Sequence, residues 1–336
     1  MPEPESIVKH ATLRQLKTFE TVARRLSFSR AAEELYLTQP AVSIQVKQLE
    51  EHFGIELFAH VGRRILLTPA GREMLGYARA IIDNFRAAEE AMVRAQGVTR
   101  DVLRVGVEMT GSYVFPRVIA SYSERGHRFE VDLAVHERQE LLARLADGEF
   151  DLAIATGMPA VKGVECRPFA PHALVIVAAA THPLAAQLQI PHELLAGEPL
   201  IAHHRASHMR DLMEAALPWH RERFKPSMEI ADTESIKQFV AANMGIALLS
   251  SHSVSLEVQS GVLKVLDVAQ FPYVAQWHVI QRVDRTLPPA AQDFRRFLVR
   301  DAARAMSRSG PPERARIDTR PMVRSGEGDI ECVPIA

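Results

Sequence analysis

The chain has 336 residues, 47% of them hydrophobic, with 40 Lys and Arg against 41 Asp and Glu and a formal net charge of −1. That length predicts two or three domains rather than one small core. No apolar run approaches the roughly 20 residues of a membrane span, and the balanced charge excludes nucleic-acid binding by bulk electrostatics.

The first element is an amphipathic helix, TLRQLKTFETVARRL, with Leu13, Leu16, Phe19, Ala23 and Leu26 on one stripe. Ser27 and Ser29 are available to cap the next helix. SRAAEELYLTQPAVSIQVKQLE, from Ser29 to Glu50, reads as two short helices joined by a tight turn. Ala31, Ala32 and Leu35 form a small face that permits close crossing. Thr38 stands as a cap, and Pro40 fits a first turn because its missing N–H would have no intrahelical partner there. Val42, Val46 and Leu49 recur at i, i+4 and i+7 and share a buried face. Pro40, Ser43, Ile44 and Lys47 therefore point outward, as the reading face of a helix-turn-helix does. GIELFAHVGRRILLT then reads as a β-hairpin with Gly62, Arg63 and Arg64 at its tip, a wing suited to phosphates or the minor groove. Over residues 1–68 the charge balance is only +1, nine basic side chains against eight acidic. Affinity must come from placed cations such as Lys47, Arg63 and Arg64, and from two copies acting together.

Pro69 opens a long helix, GREMLGYARAIIDNFRAAEEAMVRAQ. Leu75, Ala78, Ile82, Phe85, Glu89 and Met92 alternate spacings of three and four, the seam of a coiled coil interrupted by Glu89. Gly97 and Thr99 read as a helix stop and hinge.

The order helix, TQPAVS helix-turn-helix, wing ending RRILLTPAG and long helix resembles the N-terminal half of LysR-type transcriptional regulators, over at least Thr12 to Gln96. Within that family it is most similar to CbbR, the regulators of Calvin-cycle carbon-fixation operons. LTQPAVSIQVKQLEEHFG, ELLARLADGEFDLAI, ESIKQFVAANMGIALLS and LPPAAQDFRRFLV carry that closer likeness. The resemblance implies dimerisation through the long helix, a tetramer built as a dimer of dimers, an interrupted palindromic operator on double-stranded DNA, and contact with RNA polymerase. Gln39, Ser43 and Ile44 are then the base-reading side chains, Ile44 against a thymine methyl. Ser29, Arg30, Pro40, Lys47, Arg63 and Arg64 complete the candidate DNA-binding set. Many relatives carry a longer polar or basic side chain where Ile44 stands, so the half-site preference differs.

From Val102 onward strands alternate with helices, which predicts an α/β fold on a largely parallel sheet. The sequence suggests strands VLRVGV, FEVDLAV and DLAIAT, with helices over Tyr113 to Glu124 and Gln139 to Ala146. A second unit begins at LVIVAAA, Leu174 to Ala180. It includes PLIAH, helices over His208 to Leu217 and Ile236 to Asn243, and strand IALLS. Strand WHVIQR and a helix over Ala290 to Ala305 close the packed chain. The resemblance implies two Rossmann-like subdomains, as in periplasmic binding proteins, with the last strand and helix returning to the first. The expected division is a winged helix-turn-helix over 1–68, a linker helix over 69–97 and a regulatory domain over 98–306. Its first subdomain covers about 102–172 plus 275–306, and its second about 173–274. The last segment, 307–336, reads as a mobile polar tail.

Small polar residues mark several strand-to-helix junctions: Thr110-Gly111-Ser112, Ser207-His208 and Asp232-Thr233-Glu234-Ser235. Hydroxyls and free N–H groups at helix starts suit anions, and ligands of open α/β units collect beyond the carboxyl ends of strands. Thr110, Ser112, Thr233 and Ser235 are expected to converge on one cleft. Arg138, His203, Arg205 and Arg210 stand near enough to neutralise an acidic effector; Gly111, Thr156, Ser207 and Glu234 complete the candidate set. IAHHRASHMRDLME departs from the Ser-Gly-Thr-Arg type of sequence the resemblance leads one to expect, keeping only Ser207 and Arg210. The resemblance makes ribulose bisphosphate, phosphoenolpyruvate and NADPH the first effectors to test.

An enzyme reading finds no support in motifs: there is no GxSxG elbow, P-loop or dinucleotide fingerprint, and no cofactor is expected. His203, His204 and His208 match no metal pattern, and Cys166 and Cys332 stand too far apart in sequence for a metal motif. MPEPESIVKHATLR lacks an apolar signal segment, so the expected location is the cytoplasm. A regulator of a different metabolic operon, or a cytoplasmic small-molecule-binding protein without a DNA role, are the remaining alternatives. DNA footprinting separates the second from a regulator.

Overall fold

A computed structural model describes residues 11–62, 64–95, 101–126, 129–159, 161–217 and 226–307. Arg63, the Gly97–Thr99 hinge and the tail beyond 307 lie outside the described residues. Helix α1 (Leu13–Arg25) opens with a capping box, in which the Thr12 hydroxyl accepts from Gln15 N and the Gln15 side chain accepts from Thr12 N. Leu26 leaves the predicted stripe: it is the left-handed C-cap, 47% exposed, and Val22 is buried in the stripe instead. Ser27, not Ser29, caps α2 (Phe28–Leu35). Thr38 occupies the N-cap position of α3 (Gln39–Phe53), but its hydroxyl makes no capping hydrogen bond.

Strands β1 (Phe58–Val61) and β2 (Arg64–Leu67) form the wing. The Glu50 carboxylate fixes it to α3 by accepting from Leu57 N at 2.8 Å and Phe58 N at 3.2 Å. Phe19, Val42, Leu49, Leu57, Phe58 and Ala78 meet in one apolar cluster. Helix α4 (Pro69–Ala95) reaches this cluster because Gly71 offers no side chain; a Cβ there would stand 2.0 Å from the Leu57 carbonyl oxygen. Ala78 is 0% exposed and Leu75 packs beside it, both against the chain's own winged-helix core. The predicted seam is therefore corrected: those two positions are already spent within the subunit. The exposed apolar side chains of α4 are Tyr77, Ile81, Phe85, Met92 and Val93.

Beyond α4, strand β3 (Asp101–Glu108) runs into a 3-10 turn (Met109–Tyr113) and α5 (Phe115–Ser123). Then come β4 (Phe129–His136), α6 (Arg138–Ala146), β5 (Leu152–Thr156) and a long β6 (Val164–Ala179). The second half holds α7 (His192–Leu195), β7 (Ile201–His203), α8 (His208–Ala216), β8 (Met228–Ile230), α9 (Thr233–Ala241), β9 (Ala247–Ser250), α10 (Ser255–Gln259) and β10 (Leu263–Val265). Strand β11 (Tyr273–Arg282) and helix α11 (Pro289–Ser307) return to the first half, where Phe294 and Leu298 pack on Leu103, Val105 and Ile154. No described helix is long and apolar enough to cross a membrane.

The sheet is mixed rather than largely parallel. Its order is β10-β6-β11-β5-β3-β4, with β9 also on β6. Strand β3 pairs parallel with β4 and β5, whereas β11 and β6 pair antiparallel with each other and with their remaining neighbours. Burial on both faces explains why the pattern misleads. Leu152 and Ile154 enter one core cluster while Ala153 and Ala155 enter another, so β5 is apolar throughout without being a purely parallel-sheet strand.

Strands β6 and β11 cross from one half to the other, pairing from Leu174 opposite Tyr273 to Val164 opposite Arg282. At the crossing, His172 is 0% exposed and stacks on Trp277, ring centroids 4.5 Å apart. Its Nδ1 lies 3.0 Å from Thr156 Oγ1, and its Nε2 lies 2.8 Å from Ser250 Oγ. Burial lowers its pKa to about 3 and that of His203 to about 4, so both rings are neutral in the folded state. Burial raises Glu108 to about 7. In acid, the unfolded chain protonates both histidines, with an ordinary pKa of about 6.5, while the native state holds one extra proton on Glu108. His208, His252 and His278 are lowered as well, so the histidines outnumber the carboxyls that burial raises, Glu108 and Asp147. Stability measured by urea titration is therefore expected to fall as pH drops from about 6.5 to 4.5. His172→Gln should make that slope shallower, by up to about 1.4 kcal/mol per pH unit. An unchanged slope would show that His172 is not the neutral bridge.

Candidate nucleic-acid interface and effector cleft

Helix α3 presents two chemically distinct faces. Val42, Val46 and Leu49 are buried, while Gln39, Pro40 and Lys47 are exposed and Ile44 is 56% exposed. Ser43 is half-buried, and its Oγ accepts from Gln39 Nε2 at 2.8 Å, which aligns both polar groups one turn apart. Lys47 faces Glu51 at 3.8 Å, both well exposed, a pair weak enough to exchange for a phosphate. The opposite side of the helix is fixed to α1: Thr18 Oγ1 donates to Gln45 at 2.6 Å and Gln15 Nε2 to Gln48 at 3.1 Å. Ser29 and Arg30 are exposed in the first turn of α2, and Arg64 is exposed at the wing tip. The described members of the DNA-binding set are thus exposed or half-buried on α2, α3 and the wing.

Between the halves of the α/β unit lies a small cavity of about 20 Å³. The first half supplies Glu108, Met109, Thr110 and Glu137; the second supplies His203, Ser207, Met209, Ala231 and Thr233. Four predicted effector residues, Thr110, His203, Ser207 and Thr233, are brought together there. Thr110 Oγ1 and His203 Nε2 are buried with no hydrogen-bond partner among the described residues. The Ser207 hydroxyl caps α8 by accepting from Met209 N at 3.2 Å.

The other candidates are placed differently. Gly111 is buried against Val107, and the Ser112 hydroxyl turns back to donate to the Met109 carbonyl at 2.7 Å. Thr156 is fully buried and bonded to His172. Ser235 is the third residue of α9 and donates its backbone N–H to the Asp232 cap. The arginines are committed within the fold. Arg138 donates to the carbonyls of Thr156 and Gly157 and stands 3.7 Å from Glu108. Arg210, 8% exposed, pairs with Glu214 at 2.8 Å and Glu229 at 3.4 Å; Arg205 also meets Glu229. Among the described residues, none that lines the cavity is Lys or Arg. The expected cationic lining is thereby corrected, because nearby carbonyls and carboxylates satisfy those guanidiniums first.

Several contacts between described residues cross the cleft. Tyr113 OH donates to Glu234 at 2.5 Å, and Lys237, 2.9 Å from the same carboxylate, lies over the Tyr113 ring. Glu234 is thus a bridge between halves, its pKa held down by Tyr113 and Lys237 despite partial burial. His208 Nε2 lies 3.0 Å from the Thr156 carbonyl, which makes that nitrogen the donor. Glu108 escapes a sequence reading that looks for hydroxyls and cations. A lone acid ending an apolar strand, VLRVGVE, is its available signal.

Comparison with known proteins agrees with this architecture. Residues 13–72 match the family described as bacterial regulatory helix-turn-helix protein, lysR family. Residues 96–303 match the LysR substrate binding domain. A RuBisCO operon transcriptional regulator from Allochromatium vinosum is 38% identical over 90% of this chain and 100% of its own. The regulator CbbR of Rhodospirillum rubrum is 38% identical over 87% of this chain and 98% of its own. The solved regulatory domain of Synechocystis CcmR, in complex with 2-PG, is 29% identical, with a TM-score of 0.55 over 60% of this chain and 96% of that one. The chain belongs to the LysR family of bacterial regulatory helix-turn-helix proteins.

Proposed function

We propose that this protein is a cytoplasmic regulator of a carbon-fixation operon that binds operator DNA and responds to a small anionic metabolite, acting by binding rather than by catalysis. The observation that carries the DNA role is the outward face of α3, Gln39, Ser43, Ile44 and Lys47, beside the wing. The RuBisCO-operon and CbbR relatives support the target, and the 2-PG complex of CcmR supports the effector class. We divide the chain as a winged helix over 1–68, a linker over 69–97, a regulatory domain over 98–306 and a tail over 307–336. RNA polymerase and an interrupted palindrome are the expected partners of the DNA-bound form.

Gel shifts on the promoter of the chain's own neighbouring operon test the DNA role. Ser43→Ala should weaken specific binding and relax base preference. Lys47→Ala should weaken binding to every sequence and reduce the salt slope by about one unit. Equal, sequence-independent losses for both variants would contradict these assignments.

We further propose that two copies pair along α4. A groove of about 490 Å³ beside this helix is lined by Leu13, Leu35, Leu37, Ile82 and Phe85, with Arg14, Lys17, Arg86 and Glu89 also bordering it. The exposed row Tyr77, Ile81, Phe85 and Met92 of a second copy has the chemistry to fill it. Ile81→Asp with Phe85→Asp should put desolvated, repelling charges in that seam. Sedimentation should then show a smaller assembly, with operator affinity reduced and the α/β unit still folded. An unchanged oligomer would place the interface elsewhere.

A further inference from the structure

The cavity between Thr110 and His203 has a hydrogen-bonding character that an acid group does not match. His203 is 7% exposed and Thr110 is 4% exposed, and His203 Nε2 and Thr110 Oγ1 have no hydrogen-bond partner among the described residues. The His203 ring is neutral, and it donates a ring N–H to the backbone carbonyl of Ala231, a bond that favours its charged form. Nε2 is thereby left as an acceptor. Glu137 borders the same space and adds an acceptor, and no described Lys or Arg lines it. A carboxylate or fully ionised phosphate brings acceptors only. Placed here it would set lone pairs against Nε2 and charge against Glu137. The volume of about 20 Å³ admits one group near the size of a water.

We propose that this buried end of the cleft recognises a hydroxyl group of the effector, donating to His203 Nε2 and accepting from Thr110 Oγ1. The effector is accordingly a hydroxylated acid or phosphate whose acid group sits outside this cavity. The inference rests on the reading of the cleft as the effector site and names the ligand feature that it selects.

Isothermal titration of the full chain with matched probes tests this. One set is 3-phosphoglycerate, O-phosphoserine and 3-phosphonooxypropanoate, which differ only in carrying hydroxyl, ammonium or hydrogen at carbon 2. The other is ribulose 1,5-bisphosphate and 1,5-pentanediol bisphosphate. The hydroxylated member of at least one set should bind about tenfold or more tightly than its counterparts, the worth of one net hydrogen bond. Thr110→Val should bring that ratio to within about twofold while leaving the affinity of the hydrogen-bearing probe unchanged. Its melting temperature without ligand should not fall below the parent's, because the hydroxyl it removes is buried without a partner. His203→Phe should act in the same direction.

Equal binding within both sets would leave the cleft as an anion site and overturn the hydroxyl assignment. So would preference for the ammonium probe, or a preference that survives in Thr110→Val. Should no probe bind at all, the effector reading and this inference fall together.

Discussion

A neutral imidazole at the crossing of two strands holds the regulatory unit together. His172 bridges the two hydroxyls of Thr156 and Ser250, one ring nitrogen donating and the other accepting, and burial keeps the ring uncharged. Thr156 ends β5 in the first half, and Ser250 ends β9 in the second. Trp277, fully buried, covers the ring's face and belongs to the first-half core. The pairing of β6 and β11 also changes register here: Trp277 faces Ala170 while His278 faces Pro168, leaving Phe169 as the extra residue. The ladder that joins the two halves is thus interrupted beside the imidazole bridge.

This crossing is illegible in the sequence for the same reason that it exists. The stretch VECRPFAPHA carries Pro168 and Pro171, which argue against a strand interior. The pattern marks only LVIVAAA as strand, although β6 begins at Val164. The register slip accommodates what the local pattern forbids. The helix-turn-helix is legible because every cue is local: the apolar spacing of Val42, Val46 and Leu49, the early Pro40, and the small Ala31 and Ala32. The cleft is half legible. Hydroxyls at helix starts mark position, and Thr110, Ser207 and Thr233 do line the cavity. An arginine's partner is decided by tertiary placement, so Arg138 and Arg210 give no sign in the sequence of being consumed by carbonyls and carboxylates.

The joint between the DNA-binding module and the regulatory unit has yet another character. The apolar cluster of the winged helix ends at Ala78, and no described residue of α4 joins a regulatory core cluster. What connects them is polar. Arg79 pairs with Asp147 and stands 3.9 Å from Glu20. Asp83 meets Arg282 at 3.1 Å, and Arg282 meets Asp284 at 2.9 Å. Arg86 reaches the Gly148 carbonyl at 3.4 Å. Gly148 is glycine for cause: at φ +77° an added Cβ would stand 2.9 Å from the Arg282 guanidinium.

That chemistry decides what the joint permits. An apolar interface resists sliding because displacement exposes area, at roughly 25 cal/mol per Å². The ion pairs here are largely buried, with side-chain exposures of 19% and 21% for Arg79 and Asp147 and of 5% and 11% for Arg282 and Asp83, so the module moves only where each charged group finds a new partner. The attachment points nonetheless sit on elements that reach the cleft. Strand β5 comes directly after Asp151, which pairs with Arg285 at 2.9 Å, and ends at Thr156, which Glu108, Arg138, His172 and His208 all touch. Strand β11 ends at Arg282, beside α4, and carries Trp277 at the crossing. Strands thus run from the cleft to a largely buried polar joint. A ligand that forces apart Tyr113 and Glu234 acts on one end of that frame while the linker helix rests on the other.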